Sequence, residues 1–94
     1  MPFLAPWEST PPDQAAAFLG ELRKEISPGH ELCGVSLHAI ARSTRSDDVL
    51  FALDDGRVAD VHLTWRRGAE LPPLPIHRVY DSLDQWAAEV MQSN

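Results

Sequence analysis

The stretch DDVLFALDDGRVADVHLTW, residues 47–65, decides the fold. Two alternating runs flank Asp54-Asp55-Gly56: Val49, Phe51 and Leu53 make one apolar row, and Ala59, Val61, Leu63 and Trp65 make another. A period of two marks strands with one buried face. The loop type follows from which pairing keeps both rows on the same face. A two-residue Asp55-Gly56 loop would set Phe51 opposite Asp60 and Val49 opposite His62. That one-residue slip exchanges core and solvent sides and is costly. A three-residue loop with a left-handed Gly56 sets Phe51 opposite Ala59 and Val49 opposite Val61. The sequence therefore predicts a three-residue turn with positive φ at Gly56, although Asp-Gly more often makes a two-residue turn.

Upstream, ELCGVSLHAIAR (31–42) also alternates and predicts a strand. Cys33, Val35, Leu37, Ala39 and Ala41 point inward; Leu32, Ser36, His38, Ile40 and Arg42 point outward. Cys33 thus reads as an inert buried thiol. Downstream, LPPLP (71–75) is excluded from a central strand because proline lacks the ladder donor, and 76–80 reads as a short edge strand.

Two helices flank this meander. Ala15, Phe18, Leu19, Leu22 and Ile26 form one apolar stripe, with Thr10 as cap and Pro11 or Pro12 in the first turn. Ser27-Pro28-Gly29 ends that helix. Gly20 within it suggests a close helix–sheet contact. Near the carboxyl end, Ser82 and Gln85 make a capping box, followed by a stripe of Leu83, Trp86, Ala87, Val90 and Met91. The first ten residues carry Pro2 and Pro6 and read as an extended arm, leaving 11–94 as a single domain.

The expected fold is a two-layer α+β domain: a three- to four-stranded antiparallel meander with both helices packed on one face. Its core would be Phe18, Leu19, Leu22, Ile26, Val35, Leu37, Val49, Phe51, Val61, Leu63, Trp65, Leu83, Trp86 and Val90.

With 94 residues the chain is too short for a second domain and for a deep enclosed site. Its net charge of −6 opposes counter-ion release on nucleic acid or an anionic membrane. The acidic excess lies in the helical portions; residues 32–80 balance six acids against six arginines. One cysteine forms no internal disulfide, and no apolar run approaches a membrane span, so a reducing, cytoplasmic setting is expected.

No phosphate loop, HExxH, CxxC or GxSxG occurs, and no cofactor is predicted. The four histidines, His30, His38, His62 and His77, lack zinc-site spacing, so no metal is predicted either. What remains is the outer row of the sheet: Ser36, His38, Ile40, Arg42, Leu50, Ala52, Val58, Asp60, His62 and Thr64. In the chosen register His62 faces Asp48, the minimal arrangement of a base and the group that orients it. Leu50, Ala52, Val58 and Ile40 would be apolar residues in water, which marks a contact surface.

Taken together, PGHEL (28–32), AIAR (39–42), DDVLF (47–51), DGRVADVHLTW (55–65) and YDSLDQW (80–86) resemble a group of small stand-alone bacterial proteins of unknown activity. The resemblance implies a compact α+β domain and assigns no catalytic residue. The function expected from the residues is a small non-catalytic interaction module that meets a protein partner, or a second copy of itself, through the outer face. The alternative is a small enzyme or ligand-binding protein with a shallow site around His62 and Asp48.

Overall fold

The computed structural model describes residues 3–65 and 75–91. Its elements are β1 (Trp7–Ser9), α1 (Pro12–Glu25), β2 (Leu37–Ser43), β3 (Asp48–Leu53), β4 (Val58–His62), β5 (His77–Tyr80) and α2 (Leu83–Trp86), the last continued by a wider π-helical segment, Ala87–Met91. The strands form one antiparallel sheet in sequence order.

The central hairpin has the expected register, with Val49 opposite Val61, Phe51 opposite Ala59 and Asp48 opposite His62. Gly56 has φ +93°, and its N–H donates to the Leu53 carbonyl at 3.2 Å. The three-residue turn keeps the apolar row intact. Beneath it lie Leu22, Leu32, Leu37, Val49, Phe51, Val61 and Leu63, with the stripe of α1 packed against them. The edge strand expected at 76–80 is β5, which pairs with β4.

An antiparallel sheet with an amino-terminal and a carboxyl-terminal helix is the α+β arrangement expected from the sequence, but the helices do not share a face. The α1 helix covers the odd-numbered row, whereas Trp86 and Ala87 pack with Leu50, Val58, Tyr80, Ala41 and Trp7 on the even-numbered side. The physical reason is that both rows are apolar, and a single layer of helix buries only one. The arm takes part as well. Its last residues form β1 on the edge of β2, and Trp7 and Phe3 meet the Trp86 ring edge-on at 4.9 and 5.7 Å. Those T-shaped contacts suit aromatic quadrupoles.

Residues 31–36 are not strand, contrary to the alternation read there. Gly34 adopts φ +79°, the His30 carbonyl accepts from Cys33 N–H, and His30 Nδ1 accepts from Leu32 N–H at 3.0 Å. This turn buries Leu32 and leaves Cys33 exposed, the reverse of the expected parity. A register shift between Ala39 and Ala41 then moves Ala41 to the α2 side and Arg42, expected to point outward, to the α1 side over Phe18, as a β-bulge does.

Three further expectations are corrected. Thr10 does not cap α1: Pro11 holds that position without a side-chain bond, and the Thr10 hydroxyl donates instead to the Ala39 carbonyl at 3.1 Å. Gly20 is exposed, and a Cβ there would meet nothing within 4 Å. Trp65 is 50% exposed rather than in the core. At φ +57° it turns the chain away from the strand path. The carboxyl-terminal capping box is present in part, with Ser82 Oγ accepting from Gln85 N–H at 3.0 Å and Gln85 Oε1 accepting from Asp81 N–H at 2.6 Å.

Candidate functional site

On the even-numbered face, Asp60 and His62 lie two residues apart on β4, so both side chains project on one side. The antiparallel register brings Asp48 directly opposite His62, and His62 Nδ1 lies 2.7 Å from Asp48 Oδ1. Both groups remain accessible, with the imidazole about half exposed. Carboxylate contact with Nδ1 leaves Nε2 as the free edge of the ring.

Asp60 is set deeper. Burial, above all, pushes its carboxyl up to about 7, reinforced by the neighbouring Asp48 and opposed by the Trp86 indole N–H, which donates to Asp60 Oδ2 at 3.2 Å.

Asp48, Asp60 and His62 form one wall of an open groove of about 220 Å³, and Ile76, Arg78 and Tyr80 form the other. Arg78 lies 4.9 Å above the Tyr80 ring and donates to Glu89 at 3.0 Å, so its charge is already partnered. Burial raises the Tyr80 hydroxyl above its ordinary value. His77 completes the lining; its Nε2 lies 2.6 Å from Glu31, and its ring sits 4.5 Å from that of His30. The arrangement can bind charged groups and exchange protons. Among the described residues its lining contains no serine, threonine or cysteine to act as a nucleophile.

Of the residues singled out in sequence, the structure unites Asp48, Asp60 and His62. Leu50 and Val58 are buried beneath α2 and the arm, and Ile40 packs against the same cluster. Ala52 is half-buried, so the apolar centre of the expected contact surface is closed by the chain itself. Ser36 and His38 are exposed on or beside β2, and Thr64 is half-buried beyond the end of β4. None of these three lines the groove.

Sequence reasoning missed Trp86, Tyr80 and Arg78. Trp86 read as one member of a helical stripe, and no local signal distinguishes an indole that also donates to a distant carboxyl group. Among the described residues no three His, Cys, Asp or Glu side chains are placed to hold a metal ion. None of the described helices is long and apolar enough to cross a membrane. No family model matches the chain, and no curated protein or solved structure matches it significantly.

Proposed function

We propose that the chain is a small binding protein that meets a protein partner at the polar groove of Asp48, Asp60 and His62, without a covalent catalytic step. The observation carrying this reading is the closure of the even-numbered face. The arm and α2 cover its apolar part, and the carboxylate–imidazole pair remains open beside it. A net charge of −6 and two carboxyl groups in the groove favour a basic side chain from the partner. The exposed single thiol of Cys33 fits a reducing, cytoplasmic setting, and the resemblance to small bacterial proteins belongs to the same reading.

Titrating the 15N-labelled protein with N-acetyl-arginine amide tests it. The Trp86 indole N–H and the His62 ring resonances should move saturably, and N-acetyl-glutamate amide should leave them in place. D48N should abolish the response while the melting temperature holds. Equal responses to both amides, or none, would refute the reading.

A second reading, acid–base chemistry around His62 and Asp48, is favoured by the Asp60 carboxyl near 7 beside a carboxylate–imidazole pair. H62Q and D48N would then each remove a biological activity without lowering the melting temperature.

A further inference from the structure

On the α1 side of the sheet, a second hollow of about 290 Å³ is lined by Phe18 and Trp65, by Arg42, Ser43 and Ser46, and by Asp47 and Asp48. Its donors point to an anionic ligand. The Arg42 guanidinium is half-buried, lies 5.7 Å over the Phe18 ring, and makes no ion pair among the described residues. Ser43 is only 4% exposed; its Oγ accepts from Arg45 N–H at 3.2 Å, and Ser46 Oγ accepts from Asp48 N–H at 3.3 Å. Each hydroxyl thus accepts from the backbone and keeps its own proton to donate.

The aromatic wall is held in place by a separate device. Glu25, fully buried at the end of α1, accepts from Thr64 N–H at 2.8 Å through one oxygen and from Trp65 N–H at 2.9 Å through the other. Those two bonds stabilise the left-handed backbone of Trp65, a conformation that bulky residues adopt at a cost. The indole is thereby kept out of the core, edge-on to Phe18 at 6.2 Å.

We propose that this hollow binds a small aromatic monocarboxylate, with the carboxylate on Arg42, Ser43 and Ser46 and the ring against Trp65 and Phe18. A guanidinium engages a carboxylate through two parallel bonds, and the serine hydroxyls add donors beside it. Two carboxyl groups in the lining, the exposed Asp47 and the half-buried Asp48, select a singly charged anion over a phosphate dianion. The volume lies at the small end of ligand pockets, which run from about 300 to 1,000 Å³, and suits a single ring. Asp48 lines both this hollow and the Asp60–His62 groove, but the expected ligands are of opposite charge and report on different residues, Ser43, Ser46 and Trp65 here against His62 and Trp86 there.

Titration of the 15N-labelled full chain with 3-phenylpropionate decides it, with phenethylamine and acetate as controls. Saturable shifts are expected at the Ser43 and Ser46 amides and the Trp65 indole N–H, with Kd on the order of 1 mM. Phenethylamine should leave these signals unmoved, and acetate should bind more weakly. R42Q should weaken 3-phenylpropionate about tenfold or more. W65A, changed at a half-exposed ring, gives a second variant if R42Q loses its fold. Equal binding of phenethylamine, shifts confined to His62 and Trp86, or no saturation would each overturn the proposal.

Discussion

Asp60 carries the clearest pH dependence of any single residue. Its carboxyl ionises near 3.8 in the ordinary state and near 7 in the folded chain, because burial penalises the charge. Between those values the folded chain retains a proton that the unfolded chain has released. Stability from this group is therefore full below about pH 4, declines as pH rises, and is lost beyond about 7. Glu21, pushed up to about 7 by its hydrogen bond to Glu25 and by burial, acts in the same direction. The unfolding free energy from urea titration should fall between pH 5 and pH 8, and D60N should reduce that fall by about 1–2 kcal/mol. An equally steep fall in D60N would contradict the assignment. At this scale the Asp48–His62 pair was legible in sequence because hairpin register alone creates it. The state of Asp60 was not, because its burial and its indole partner come from an element 26 residues away.

At the scale of elements, two glycines make opposite predictions. Gly56 sits at φ +93° in open space, so G56A meets no clash, yet places a Cβ where L residues are disfavoured. It should cost about 1–2 kcal/mol in chemical denaturation. Gly20 lies within α1, also in open space, and G20A should stabilise by about 0.5–1 kcal/mol. A destabilising G20A would mean that the helix packs there after all. The hairpin was readable because alternation and turn chemistry agree on one register. The start of β2 was misread because Leu32 to Ser36 alternate as a strand would, while the His30 ring, held at the Pro75 carbonyl and accepting the Leu32 N–H, and the left-handed Gly34 turn the backbone instead. Alternation records which residues are apolar, not whether the chain is extended.

For the molecule as a whole, the α2 face is the vulnerable side. Trp86 is fully buried, meets two aromatic rings, and bonds Asp60. W86A should cost about 3–5 kcal/mol. A chain ending at Asp81 should expose Leu50 and Val58 and associate, which light scattering would detect; a monomeric, fully stable truncation would refute the role assigned to α2.

The sequence by itself determined the register of the β3–β4 hairpin, the loop at Gly56, both amphipathic helices and the α+β class, since each follows from local periodicity and backbone chemistry. Only the tertiary structure decided that the helices lie on opposite faces, that the arm joins the sheet, and that the open surface is polar rather than apolar. Amphipathic stripes state that a face must be covered without naming its cover, and that choice depends on how all the apolar rows of the chain are buried together.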